Sequence, residues 1–199
     1  LNNPSAIGIL ESVNTFGGSK NDSAQEVVST SDGGYAVLGF TQSMDGDILD
    51  KQNESFDFWV LKFNAENEIE WNKTFGGTAD DKGSDIIQTT DGGFAILGSS
   101  FSNDEDVSGN QGQNDYWLAK LDASGNILWQ KSYGYQGADY GISVIQTSDS
   151  GYLVTGVLDV TASNGEGNTS RTSNRHAGGD YWAIKLDASG TIEWSKYYG

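Results

Sequence analysis

The 199-residue sequence contains no cysteine, a single proline and only 11 basic residues. The lack of cysteine excludes disulfides and thiolate metal sites. The 11 basic residues stand against 28 acidic ones, which gives a net charge of -17 at pH 7. A surface of this charge repels both phosphate backbones and anionic lipid headgroups, and no apolar run approaches the ~20 residues that span a bilayer. We therefore expect neither a nucleic-acid partner nor a transmembrane segment in this chain.

Glycine and aromatic residues are plentiful, and they recur in a repeated phrase. The chain has 27 glycines and 12% aromatic residues, a composition typical of turn-rich β structure. One phrase occurs three times, as TSDGGYAVLG at 30–39, TTDGGFAILG at 89–98 and TSDSGYLVTG at 147–156. A repeat of this length determines the fold class before any single residue is considered.

Each repeat contains four apolar stretches separated by turn signals, which predicts four strands. In the second repeat these stretches are 85–89, 94–100, 116–121 and 127–133. Several of them are apolar at consecutive positions, so both of their faces must be buried, as in sheets stacked face to face. We therefore predict an all-β chain of four-stranded antiparallel blades of a β-propeller. A β-solenoid is the alternative.

The repeats set the expected organisation of the chain. We place them at approximately 17–76, 77–134 and 135–199, with 10–16 as the outer strand of a preceding blade, because this segment aligns with the fourth strand at 69–75. Closed propellers need at least ~4 blades. We therefore expect an arc of a longer polypeptide, with association of copies as the alternative. A first residue of Leu1 without a signal-peptide pattern indicates a processed form or a piece of a larger protein.

The repeated phrases W-x-K-[ST]-[FY]-G-G, T-x-D-G-G-[YF] and D-[YF]-W-[VL]-x-K carry a family resemblance. Over residues 10–199 the chain resembles secreted and lipoprotein repeat proteins of Bacteroidota, which are similar to β-propellers. The resemblance implies a location at the cell surface, secreted or lipid-anchored, or in a secretion-associated outer-membrane assembly. The resemblance implies no catalytic residues.

Eight positions are identical in all three repeats, and we interpret them as structural. Aromatic residues that fill the space between sheets, and carboxylates that accept backbone N–H groups or pair with lysine, already explain the pattern. The opposing interpretation makes the six tryptophans sugar-stacking platforms. The positions are Asp22/Asp81/Asp139, Thr30/Thr89/Thr147, Gly39/Gly98/Gly156, Asp57/Asp115/Asp180, Trp59/Trp117/Trp182, Lys62/Lys120/Lys185, Trp71/Trp129/Trp194 and Lys73/Lys131/Lys196.

Two acidic loops are candidate Ca²⁺ sites. Asp45 and Asp47 lie in the first, and Asp104 and Asp106 in the second. Oxygen ligands at alternate positions suit Ca²⁺, which takes six to eight of them from flexible loops. Neither loop completes an EF-hand pattern, so solvated turn carboxylates are the alternative, and no other cofactor is expected.

The corresponding loop of the third repeat is the longest, and it contains Arg171, Arg175 and His176, the only arginines and the only histidine of the chain. Loops carry specificity in repeat scaffolds, so these three residues are candidate partner contacts. A mobile, solvated insertion is the alternative. No nucleophile or partner for a catalytic histidine is identifiable.

Three functions remain in competition at this point. The leading one is a non-enzymatic scaffold or protein-interaction module at the cell surface, with a protein partner there. A glycan-binding module is the rival, using the loop-tip aromatics Phe56, Tyr135 and Tyr140 as stacking platforms. A paired-carboxylate hydrolase is the third, although nothing in the sequence singles out an acid and a base.

Overall fold

The computed structural model describes residues 14–160, 163 and 179–199. The described residues form β-strands and contain no α-helix. The strands are β1 (Asp22–Ser29), β2 (Tyr35–Thr41), β3 (Asp57–Phe63), β4 (Ile69–Phe75), β5 (Asp81–Gln88), β6 (Phe94–Ser100), β7 (Asp115–Leu121), β8 (Ile127–Tyr133), β9 (Tyr140–Gln146), β10 (Tyr152–Asp159), β11 (Gly179–Leu186) and β12 (Ile192–Tyr198).

Consecutive strands pair in three antiparallel sheets, β1–β4, β5–β8 and β9–β12, here called the first, second and third sheet. This confirms the prediction of an all-β chain with three four-stranded antiparallel units, and the described residues do not show a closed propeller. Of the predicted strand at 10–16, residues 14–16 have no regular secondary structure and 10–13 lie outside the described residues.

The repeated T-x-D-G-G phrase forms the turn between the first two strands of each sheet. In the first sheet, Asp32 Oδ1 accepts hydrogen bonds from Thr30 Oγ1 at 2.5 Å and from the Gly34 amide at 3.0 Å. Gly33 has a φ of 88°, in the left-handed region that glycine tolerates best. Lys62 then reaches this turn from β3, with its Nζ 2.8 Å from Asp32 Oδ2. The turn and Lys62 therefore form a structural clamp, and the Lys62 side chain is buried.

A tryptophan in the third strand of each sheet lies in the core. Trp59, Trp117 and Trp182 are 5%, 0% and 2% exposed, which confirms their predicted burial at equivalent positions. The indole Nε1 of Trp117 donates to Gln130 Oε1 at 2.8 Å, and that of Trp59 donates to Asn72 Oδ1 at 2.6 Å. The third sheet has Ser195 at this position, and Trp182 Nε1 is buried without a hydrogen-bond partner among the described residues.

Candidate interaction face

Each sheet binds the next one through an aromatic side chain that enters a shallow pocket. Phe58, at the start of β3, packs edge-on against Trp117 of the second sheet, with ring centroids 4.8 Å apart. The pocket needs a glycine beneath the ring, because a Cβ on Gly98 would lie 2.5 Å from Phe58 Cζ. Phe58 itself is fully buried. We call this arrangement the aromatic–pocket contact.

The same contact joins the second sheet to the third. Tyr116 lies 5.1 Å from Trp182, centroid to centroid, and a Cβ on Gly156 would lie 2.6 Å from the Tyr116 hydroxyl oxygen. Tyr116 is fully buried, and its hydroxyl has no hydrogen-bond partner among the described residues. The two internal interfaces therefore have the same kind of contact, which is characteristic of this repeat.

The fourth strand of each sheet adds a second contact to the next sheet. Trp71 covers the turn after β7, where a Cβ on Gly125 would lie 3.0 Å from the indole ring, and its Nε1 donates to the Ala123 carbonyl at 3.0 Å. Lys73 Nζ donates to Asn126 Oδ1 of the same turn at 2.8 Å. Trp129 and Lys131 of the second sheet contact the turn of the third sheet, at Gly190 and Thr191.

The third sheet leaves the corresponding face open to solvent. Tyr181, the counterpart of Phe58 and Tyr116, is 50% exposed. Ile145, Trp194 and Tyr198 are also exposed, at 52%, 42% and 56%. We call these three residues and Tyr181 the aromatic face. These four side chains lie on one face of the third sheet, and exposed apolar surface of this kind is typical of an interaction site. The aromatic face is the strongest candidate functional site among the described residues.

At the other end of the stack, the first sheet has a cavity beside the residues that are equivalent to those two pockets. A cavity of about 300 Å³ is lined by Gly39 and Trp59, the counterparts of Gly98 and Trp117, together with Val37 and Leu61. Phe16 also lines it, 5.3 Å from Phe63 and 38% exposed. Trp59 and Leu61 are buried, each 5% exposed, so this face of the first sheet is covered.

The loops beside these interfaces hold buried carboxylates. Asp57 pairs with Lys51 Nζ at 2.8 Å, and the lysine side chain is fully buried. Burial raises the pKa of Asp57 to about 6 although Lys51 acts in the opposite direction. Burial also raises the pKa of Asp81, the next carboxylate at this interface.

Asp115 occupies the position of Asp57 in the second sheet but has no lysine partner. Its Oδ2 accepts from the Gln111 amide at 2.7 Å, whereas its buried Oδ1 has no partner among the described residues. The carboxylates of Asp115 and Asp139 both flank Gly134, because a Cβ there would lie 2.2 Å from Asp115 Oδ1 and 2.9 Å from Asp139 Oδ2. Burial, with a smaller contribution from Asp139, raises the pKa of Asp115 to about 6.

We expect Asp115→Asn to flatten the pH dependence of stability. The folded chain binds the Asp115 proton more tightly than the unfolded chain, so this stabilisation is complete below pH ~4 and is lost as the pH rises through about 6. The difference amounts to roughly 2 to 3 kcal/mol in the free energy of unfolding. Urea unfolding between pH 4 and pH 8 measures it. Wild-type and variant profiles that stay parallel would contradict the assignment.

The carboxylates that were candidate Ca²⁺ ligands bind backbone amides of the loop before each sheet. Asp45 Oδ1 accepts from the Ser19 amide at 2.8 Å, and Asp47 Oδ2 accepts from the Gly17 amide at 2.9 Å. Asp104 and Asp106 repeat this pattern with the amides of Thr78 and Gly76. No cluster of three potential metal-ligating side chains occurs among residues 14–160, 163 and 179–199. Calcium binding stays a prediction.

The loop-tip aromatics differ in exposure. Phe56 packs edge-on against Phe40 at 5.2 Å and lies under the Lys82 ammonium, 4.3 Å from its ring centroid. Tyr135 packs against Trp182, and its hydroxyl lies 3.2 Å from that of Tyr197. Tyr140, by contrast, is 44% exposed. Two of the three predicted sugar platforms therefore have roles in internal packing, and glycan binding stays a prediction.

The predicted partner contacts Arg171, Arg175 and His176 lie outside the described residues. The aromatic face itself was missed by sequence reasoning, because its residues repeat in every unit and repetition was interpreted as structural. No local signal distinguishes Tyr181 from Tyr116, because both lie in the same D-Y-W motif. The part of the chain that the structure describes contains no helix long and apolar enough to cross a membrane.

Comparisons with known proteins place the chain in no family. No protein-family model matches it, and no curated protein matches it. Among solved structures it is similar to one described as the crystal structure of an ACO/RPE65 chimera, with 13% sequence identity and a TM-score of 0.49. That match covers 90% of this chain and 40% of the other, so the chain spans less than half the length of that protein. A likeness at this level carries no argument about function.

Proposed function

We propose that the chain is a non-enzymatic protein-interaction module and that it docks its partner through the aromatic face. The observation that carries the proposal is the exposure of Tyr181, because its counterparts Phe58 and Tyr116 are fully buried in sheet-to-sheet contacts. Tyrosine and tryptophan are among the side chains most often found at the energetic centre of protein interfaces.

The proposed architecture is an arc of a β-propeller. Face-to-face packing of four-stranded antiparallel sheets supports it, as does the contact of β5 with both β1 and β9, since the first strands of successive blades lie together at a propeller axis. The proposed location is the bacterial cell surface, secreted or lipid-anchored, where the chain would act as a scaffold or as an accessory subunit of an outer-membrane or secretion-associated assembly. The resemblance of the repeat to Bacteroidota surface proteins supports this location.

The roles of the repeated polar residues favour a scaffold over an enzyme. Lys62, Lys120 and Lys185 each bind the turn of their own sheet, through Asp32, Asp91 and Asp149. Hydrogen bonds lower the pKa values of these three aspartates. The largest contribution comes from Lys62 at Asp32, from Thr89 at Asp91 and from Thr147 at Asp149. Side chains that serve as clamps in every sheet are the expected content of a scaffold.

Retention of partner proteins tests the proposal. The immobilised chain is incubated with surface proteins of the producing organism, and bound proteins are identified by mass spectrometry. We expect Tyr181→Ser combined with Trp194→Ser to lose the partners that the wild type retains. The matched control replaces two exposed residues that line a groove with residues of the first two sheets, Tyr140→Ser with Ile142→Ser, and should retain the partners. If both double variants retain the same proteins, docking does not use this face.

A further inference from the structure

A groove opens where the first strands of the three sheets meet. Its cavity has a volume of about 270 Å³ and is lined by residues of all three sheets, among them Phe40, Lys82, Ser99, Asn114 and Tyr140. This volume is close to the lower end of the range for ligand-binding pockets, ~300 to 1,000 Å³. The groove therefore has room for a ligand of about one ring, and none of its lining residues belongs to the aromatic face.

The groove is open because the second sheet lacks two aromatic rings that the first sheet has. In the first sheet, the rings of Phe40 and Phe56 pack edge-on, with their centroids 5.2 Å apart. The second sheet has Ser99 and Asn114 at the equivalent positions of the repeat, and both are buried. Two rings are thus replaced by a hydroxyl and a short amide, which leaves a ring-sized space with polar groups along its wall.

Asn114 brings an unsatisfied hydrogen-bond acceptor to this wall. The residue is 4% exposed, and its Oδ1 is buried without a hydrogen-bond partner among the described residues. Its backbone carbonyl accepts from the Asp139 amide at 2.6 Å, which fixes the main chain. The χ2 angle of asparagine is broad, so the amide can turn its oxygen toward a bound molecule. A ligand that donates a hydrogen bond here removes the cost of a buried, unpaired acceptor.

Tyr140 provides an exposed aromatic ring at the edge of the groove. Its side chain is 44% exposed. The next residue, Gly141, is bound on both sides to the second sheet: its amide donates to Ser99 Oγ at 3.2 Å and its carbonyl accepts from Ser84 Oγ at 2.8 Å. These bonds fix the backbone that carries the ring. A tyrosine held in this way offers an apolar face with a polar tip.

We propose that this groove binds one ring of a neutral sugar, with the C–H face of the sugar stacked on Tyr140 and a hydroxyl group donating to Asn114. A pyranose ring combines an apolar face with hydroxyl groups that both donate and accept. Asp80 and Lys82, half-exposed and 4.0 Å apart, add an acceptor and a donor beside the same groove. The net charge of -17 disfavours anionic sugars. This site goes beyond the proposed function and does not depend on the aromatic face.

The experiment is saturation-transfer difference NMR of the purified chain with the methyl glycosides of glucose, galactose, mannose and N-acetylglucosamine. Glucuronate is the anionic comparator. We expect at least one neutral glycoside to bind with a dissociation constant on the order of 1 mM, the range for a ligand of one ring. The C–H protons of one face of that sugar should receive the most saturation, because that face lies on Tyr140.

Four variants assign the binding to the groove. Tyr140→Ser should weaken sugar binding about tenfold, because it removes the stacking ring, whereas Tyr140→Phe keeps the ring and should retain most of the affinity. Asn114→Phe restores the aromatic residue of the first sheet and should abolish binding by filling the space. Tyr181→Ser, on the aromatic face, is the control and should change nothing. Urea unfolding verifies that each variant is folded.

Each outcome bears on the proposal. No measurable binding of any neutral glycoside overturns it. Binding that survives both Tyr140→Ser and Asn114→Phe also overturns it, because the sugar then occupies another surface. Tighter binding of glucuronate than of every neutral glycoside rejects a neutral sugar as the ligand. If Asn114→Phe does not fold, the contrast between Tyr140→Ser and Tyr140→Phe decides. A chain that binds no sugar but retains surface proteins through Tyr181 and Trp194 would reject this site and leave the proposed function standing.

Discussion

Trp117→Ala is expected to reduce the free energy of unfolding by about 3 to 5 kcal/mol, the cost of removing a large buried aromatic side chain. Trp117 is fully buried at the interface of the first two sheets, where its ring contacts Phe58. The substitution removes packing from both sheets and also leaves Gln130 Oε1 without its indole donor. Urea denaturation of the wild type and the variant measures the loss.

The matched control is Trp194→Ala, the same chemical change on the aromatic face. Trp194 is 42% exposed, so we expect a loss below about 1 kcal/mol in the isolated chain. Equal losses at the two positions would mean that the aromatic face is packed in solution. A loss at Trp117 below about 1 kcal/mol would contradict the stacking of the sheets itself.

Asp57→Asn is expected to cost about 3 to 5 kcal/mol at pH 7, because breaking a buried ion pair leaves one charge uncompensated. We expect this cost to outweigh the gain from removing a carboxylate whose pKa is raised to about 6. The uncompensated charge is Lys51, whose side chain is fully buried and whose ammonium would retain only Asn53 Oδ1, at 2.8 Å. The measurement is the midpoint and slope of urea unfolding at fixed pH. Adding Lys51→Met to the variant should recover most of the loss, since no buried charge then remains.

Asp115→Asn is the control for this prediction, because it makes the same substitution at the equivalent position of the next sheet. Asp115 has no cation partner, and its buried Oδ1 accepts no hydrogen bond within the described chain. At pH 7 we expect Asp115→Asn to increase the free energy of unfolding by roughly 2 to 3 kcal/mol. The two substitutions should therefore have opposite signs. Equal destabilisation by both would show that hydrogen bonding, not charge, determines the effect.

The sheets could be predicted from the sequence because each is specified by local signals. The turn at Asp91-Gly92-Gly93 and the continuous apolar run at 94–97 occur in every repeat with little change. Period and turn chemistry are properties of neighbouring residues, so they survive without knowledge of the tertiary structure. The burial of Trp59, Trp117 and Trp182 was predicted from the same repetition.

The candidate site could not be predicted in this way, because the exposure of a sheet depends on whether another sheet packs against it. Tyr181 has the same sequence context as Tyr116, yet one is half-exposed and the other fully buried. The buried ion pair of Lys51 with Asp57 could not be predicted from the repeat either. Lys51 lies in a loop, and the second repeat has Gly109 at the corresponding position. Differences between repeats, more than their shared phrase, carry this information.

Photo-crosslinking from position 181 tests the docking role of the aromatic face most directly. Tyr181 is replaced by p-benzoylphenylalanine in the full chain, which is incubated with surface proteins of the producing organism, irradiated and digested for mass spectrometry. We predict adducts with a protein that the wild-type chain also retains. The same probe at position 140 should give no adduct with that protein. If position 181 forms no adduct with any retained protein, the account is contradicted.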